Sequence, residues 1–133
     1  MVLPTGTITG DLRITGGIIS DISKDADLEP RTNESVYDAT GLHLLPGIID
    51  PQVHFRDPGQ AEKEDLHSGS CAAASGGVTS FLDMPNNVPS QTTLQSMYDK
   101  LETASKRCVT NYGFFIGATE SNVEELQKAV GTP

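Results

Sequence analysis

Five polar side chains crowd the end of an apolar run in Gly47-Ile-Ile-Asp-Pro-Gln-Val-His-Phe-Arg-Asp-Pro-Gly59: Asp50, Gln52, His54, Arg56 and Asp57. An imidazole can bind a metal or carry a proton, and a guanidinium can grip a carboxylate through two parallel hydrogen bonds. If the run is a strand, its side chains alternate faces, so Asp50, Gln52, His54 and Arg56 are predicted to point one way. Pro58-Gly59 predicts a turn immediately afterwards. Polar groups delivered by the C-terminal end of a buried strand are the arrangement found at the active end of a parallel α/β barrel. Taken singly, His54 equally suits a satisfied polar residue near a strand end, and Arg56-Asp57-Pro58-Gly59 an ordinary solvated turn.

The elements that must position these residues follow in a strand–helix rhythm. Gly47 to Phe55 reads as the first strand. Glu62 to Ser75 reads as a helix, with acidic residues in its first turn and a stop at Gly76-Gly77. Val78 to Met84 is a second apolar strand, ending in Asp83-Met84-Pro85-Asn86-Asn87. Thr92 and Gln95 form a capping-box pattern ahead of Leu94, Met97, Tyr98 and Leu101, whose spacing predicts an inward-facing helical stripe. Val109 to Ile116 is a third strand. A last helix is expected with Ser121 and Glu124 as its capping box and Val123, Leu126 and Val130 as its stripe. Right-handed crossovers would set three parallel strands side by side. Asn86 would then lie at the rim beside the end of the first strand, although Pro-Asn-Asn alone is an ordinary turn.

Residues 1–46 read instead as short strands at Thr7–Thr9, Leu12–Thr15 and Ile18–Ile22, with Gly16-Gly17 as a hairpin turn. Lys24 to Ser35 reads as a loop, and Val36–Ala39 and Leu42–Leu45 as strands about a turn at Thr40-Gly41. His43 and His67 are expected to be exposed or packed residues without a ligand role.

Together, Leu44-Leu-Pro-Gly-Ile-Ile-Asp-Pro-Gln-Val-His-Phe-Arg-Asp-Pro-Gly59 and Met84-Pro85-Asn86 resemble the dihydroorotases of the amidohydrolase superfamily. Gly76-Gly77-Val78-Thr79-Ser80 and Tyr112 to Thr119 are similar to strand starts and ends of the same family. The resemblance implies an α/β fold: a partial (β/α)8 TIM barrel, the first three βα units over 47–133, preceded by part of a small β-sandwich over 1–46. It implies hydrolysis or formation of a cyclic amide, between dihydroorotate and N-carbamoyl-aspartate, in pyrimidine biosynthesis. By the same resemblance His54 is a zinc ligand, and Arg56 and Asn86 bind the substrate carboxylate. Gln52 departs from the pattern, standing where the family carries a second histidine ligand. A carboxamide is a poor substitute, since zinc prefers imidazole, thiolate or carboxylate. Gln52 therefore motivates an alternative, a dihydroorotase-like scaffold or partner subunit without catalysis. The family's other ligands and its proton-shuttling aspartate come from later strands. Lys100, Lys106 and Lys128 lie on predicted helices, so none inherits the family's carboxylated-lysine role.

Composition bounds the rest. The chain has 133 residues, 9 basic and 18 acidic, for a net charge of −9, and 36% of its residues are hydrophobic. This suits one modest globular domain and disfavours nucleic acid or an anionic membrane as partner, while the small-molecule substrate is what the resemblance implies. Cys71 and Cys108 have no pairing motif and no assigned function, Cys71 reading as a small helix-packing residue, consistent with a cytoplasmic, reduced protein. A complete (β/α)8 barrel needs about 250 residues. The expectation is therefore an N-terminal fragment, inactive alone and prone to associate through its open strand edges, with a homo-oligomer expected at full length.

Overall fold

Turn chemistry shapes the first part of the chain. Gly16 and Gly17 both take positive φ, +60° and +80°, and join β3 (Asp11–Thr15) to β4 (Ile18–Ser23) in an antiparallel hairpin. A smaller antiparallel pair, β1 (Val2–Leu3) and β2 (Gly6–Thr7), precedes it. The computed structural model describes residues 1–131, and Met1–Pro46 forms one compact unit. Val36–Ala39 and Leu42–Leu45 are not strands, contrary to expectation. What holds the 24–46 segment is polar: Arg13, buried, donates to Glu34 at 2.8 Å and to the Glu29 carbonyl at 2.6 Å.

The second unit begins at Gly47 and has the expected alternation. Its order is β5 (Ile48–Val53), α1 (Leu66–Ser75), β6 (Val78–Asp83), α2 (Leu94–Arg107), β7 (Asn111–Phe114) and α3 (Val123–Ala129). The three strands form one parallel sheet in the order β5-β6-β7. Phe55, Phe81, Leu66 and Ala104 form its buried core, with Val53, Tyr112 and Phe114 packed against them. The Phe55 and Phe81 rings meet edge-on at 4.8 Å. Gly69 of α1 lies so close to Phe55 that a Cβ there would come within 2.6 Å of the ring. A larger residue at 69 would therefore push on the segment carrying His54 and Arg56. No helix among the described residues is long and apolar enough to cross a membrane.

Several boundaries differ from expectation for local reasons. β5 stops at Val53, and its ladder with β6 is irregular at two places that cancel. Ile48 pairs with Val78 and Val53 with Asp83, but β6 has an extra residue after Val78 and β5 one between Asp50 and Val53. Pro51, which has no N–H to give, sits in the second irregularity. The unbroken alternation expected from Asp50 to Arg56 therefore fails, and the Asp50 carboxylate accepts the Gln52 N–H at 3.0 Å. Asp65 and Ser68 make a reciprocal capping box, so α1 starts at Leu66 and leaves Glu62 and Glu64 outside its first turn. The box of α2 is likewise Thr93 with Ser96, one residue past the expected pair. Tyr98 is 45% exposed, and the buried face of α2 carries Lys100 and Ala104. The Ser121–Glu124 box does not form. Asn122 precedes α3 and spends its side chain on Thr119, Thr92 and Gly117, while Val123 and Val130 stay exposed.

The Asp65 cap gives a pH signature. The Ser68 backbone N–H holds the Asp65 carboxyl below the usual carboxylate range. The folded chain thus takes up that proton less readily than the unfolded chain. The cap's contribution is full above the unfolded value, near 4, and is lost as pH falls through the lower folded value. Urea midpoints of wild type and Asp65→Ala should differ by a constant amount at neutral pH and converge in acid.

Candidate functional site

The ends of β5 and β6 bring two of the singled-out residues together. Val53 and Phe55 pack inward against the helices, and His54 between them is exposed. Met84 follows β6 with its N–H on the Val53 carbonyl at 2.9 Å, which keeps the two strand ends in step. Two residues on, the Asn86 side-chain oxygen lies 3.0 Å from His54 Nδ1. A carboxamide oxygen only accepts, so Nδ1 carries the proton and donates. In the neutral ring this leaves the Nε2 lone pair free for a metal or a proton, the way a ligating histidine is usually oriented by its second nitrogen.

Arg56 lies in the strap after β5, its N–H on the Glu64 carbonyl at 2.9 Å and its carbonyl accepting from Gln60 N–H at 2.8 Å. The residue is half-buried and, among the described residues, carries no ion pair. A cation in that state suits an anionic ligand. Gln52 is exposed and shares no hydrogen bond with His54. Among the described residues there is no group of three or more His, Cys, Asp and Glu side chains able to hold a metal ion. One imidazole and one carboxamide fall short of the three or four protein ligands zinc takes. His43 and His67 are exposed as expected, and His67 donates to the Arg107 carbonyl at 3.0 Å. Burial pushes the Cys108 thiol up, in keeping with a packing role.

Behind the rim lies a buried polar cluster that the sequence reading did not find. Lys100 Nζ, on α2, is 2.6 Å from Asp83 Oδ2 and 2.8 Å from Asn87 Oδ1. The other Asp83 oxygen accepts the Phe55 N–H at 3.0 Å. Asn87 Nδ2 donates to the carbonyls of Phe55 and Asp57 at 3.1 and 3.2 Å. Lys100 Nζ also sits 4.8 Å from the centre of the Phe114 ring. Arg107, on the same helix, adds a 2.8 Å ion pair to Asp57. Burial pushes the Asp83 carboxyl up, against the opposing pull of Lys100 and of the Phe55 and Met84 N–H groups. One signal in the sequence pointed here: Met97, Lys100, Leu101 and Ala104 share a helical face, so a lysine falls within an inward stripe.

The comparisons with known proteins agree with this architecture. Residues 43–131 match the amidohydrolase family, and the chain belongs to that family. It is 40% identical over 118 residues to a dihydroorotase of Methanosarcina mazei, covering 89% of this chain and 25% of that protein. It is 38% identical over 125 residues to an allantoinase of Arabidopsis thaliana, covering 92% of this chain and 25% of that protein. Among solved structures it is similar to L-hydantoinase (dihydropyrimidinase) from Arthrobacter aurescens, with TM-score 0.76 and 28% identity, over 88% of this chain and 26% of that one. The chain thus spans about a quarter of the length of these relatives.

Two neighbouring asparagines should behave differently. Asn87→Ala leaves two buried carbonyls and the Lys100 ammonium short of partners and should lower stability by roughly 3 kcal/mol. Asn86→Ala, at an exposed position, should change it by no more than about 0.5 kcal/mol. Urea unfolding of the two variants checks the contrast.

Proposed function

We propose that this chain is the opening part of a cyclic amidohydrolase, and specifically of a dihydroorotase. On this reading residues from Gly47 are the first three βα units of a (β/α)8 barrel, and residues 1–46 are part of a β-sandwich. The observation that carries it is the pairing of His54 with Asn86 at the ends of adjacent parallel strands, with Arg56, which has no ion pair among the described residues, two residues further on. The family's relatives named dihydroorotase support the same reading.

The reaction adds water across the ring carbonyl–nitrogen bond of dihydroorotate. That bond breaks, the water oxygen joins the carbonyl carbon, which becomes a carboxylate and releases one proton, and the ring N–H takes up the other to become the NH2 of the ureido group of N-carbamoyl-aspartate. This chain's share is binding and orientation. Arg56 grips the carboxylate already present on the ring, which a guanidinium does well in a bidentate pose. Asn86 uses its oxygen for His54, which leaves its NH2 free to donate to the same carboxylate. His54 presents Nε2 toward the reacting end. Its residues do not complete a zinc site by themselves, so on this reading zinc depends on ligands from later strands of the complete barrel.

Gln52 favours a second reading, a dihydroorotase-like scaffold that binds a partner subunit and has lost catalysis. The two are separated with protein made from the complete reading frame that carries this sequence. The first reading expects bound zinc by elemental analysis and turnover of dihydroorotate in preference to allantoin or hydantoin, which lack the carboxylate. It further expects Arg56→Ala to raise KM for dihydroorotate by roughly ten- to a hundredfold, the range for losing a hydrogen bond to a charged group. Protein without zinc or turnover, in which Gln52→His restores metal binding, supports the scaffold. Preferential turnover of allantoin contradicts the dihydroorotase assignment.

A further inference from the structure

We infer that Lys100, a side chain of the outer helix layer, is the positioning residue for the rim that carries His54, Arg56 and Asn86. The inference rests on the reading of those three residues as a ligand site, but its test does not depend on turnover. Lys100 is 3% exposed and touches no site residue directly. It acts through two intermediaries. Asp83, the last residue of β6, accepts the backbone N–H of Phe55, and Asn87 Nδ2 donates to the backbone carbonyl of Phe55. Phe55 is the residue between His54 and Arg56. Both of its backbone polar groups are therefore fixed by side chains that converge on one ammonium.

Asn87 is also the neighbour of Asn86, so the same ammonium anchors the loop supplying the acceptor for His54 Nδ1. The arrangement couples one helix to both strand ends. Without the cation, Asp83 would be a buried carboxylate with no counter-charge, a state relieved by taking up a proton or admitting water. Either outcome loosens the hold on Phe55 and lets the β5 and β6 ends drift apart. The consequence for the site is a lost His54–Asn86 hydrogen bond and a histidine free to exchange tautomers. Lys100 also lines a cavity of about 300 Å³ with Asp57, Leu66, Asn87 and Gln91.

The test is side-chain nitrogen NMR of histidine in the protein made from its complete reading frame and freed of metal by a chelator, so that a metal on Nε2 does not itself fix the tautomer, with the His54 signal identified by its loss in His54→Gln. Wild type should show His54 as a single tautomer with a persistent Nδ1–H. Lys100→Met should lose that Nδ1–H signal and speed exchange of the Phe55 amide by roughly tenfold or more, a shift consistent with weakening a charged hydrogen bond. Lys106→Met, on the exposed side of the same helix, should do neither. Propylammonium added to Lys100→Ala should restore the Nδ1–H signal, a rescue not expected from a merely structural defect. Should Lys100→Met fail to fold, Asp83→Asn, which keeps the volume and removes the charge, is read in its place. An unchanged His54 signal in the folded variant overturns the inference, even if dihydroorotate is turned over. A lost signal sustains it, even if the cyclic-amide assignment fails.

Discussion

The ion pair between Lys100 and Asp83 is the constraint on which the rest of the second unit depends. Removing two charges from water costs several kcal/mol for each, and their mutual attraction offsets this only when remaining donors and acceptors are also satisfied. Here they are: the carboxylate takes the Phe55 N–H on one oxygen and the ammonium on the other, and the ammonium reaches Asn87 as well. Such a pair is weak evidence for extra stability. Its clearer effect is geometrical, because the observed register of β5, β6 and α2 is the one in which all of these groups meet. The apolar core adjoining it is small, with Phe55, Leu66, Phe81 and Ala104 its buried hydrophobic side chains among the described residues, and such packing is less directional than hydrogen bonds.

That constraint explains why the rim is ordered around a strand that is itself irregular. β5 contains a proline, an Asx-type bond donated by the Gln52 N–H to the Asp50 carboxylate, and a bulge, none of which helps a ladder. Register returns at Val53, where Asp83 pairs with it, and the side chain of the same Asp83 fixes the next residue but one. His54 then faces away from the helices because Val53 and Phe55 on either side of it are drawn toward them.

Much of this was legible in the sequence, for physical reasons that differ by element. The strand–helix alternation, the Gly16-Gly17 hairpin and the Gly76-Gly77 stop follow from periodicity and from backbone conformations that glycine favours, and all three are present. The meeting of His54 and Asn86 was also expected, from motifs at the ends of successive strands. Helix starts were missed by one to four residues because several Ser, Thr and Asp side chains compete for each cap, and only tertiary packing selects among them. The outward turn of Tyr98 and the burial of Lys100 were missed together. Periodicity assigns apolar residues to the inner face and has no means of preferring a lysine unless its counter-charge on another strand is known. Strands at Val36–Ala39 and Leu42–Leu45 did not form, since β-rich composition does not by itself supply a pairing partner.

The chain thus places a histidine and an asparagine just past the ends of β5 and β6, with an arginine in the following strap that has no ion pair among the described residues, backed by a charge buried in the helix layer. The most direct measurement of whether this rim is a carboxylate-binding site is a crystal structure of the complete protein with dihydroorotate bound. The account predicts the ring carboxylate within hydrogen-bonding distance of both the Arg56 guanidinium and the Asn86 NH2, with the His54–Asn86 bond intact. Dihydroorotate bound elsewhere, or with its carboxylate turned away from Arg56, would contradict it.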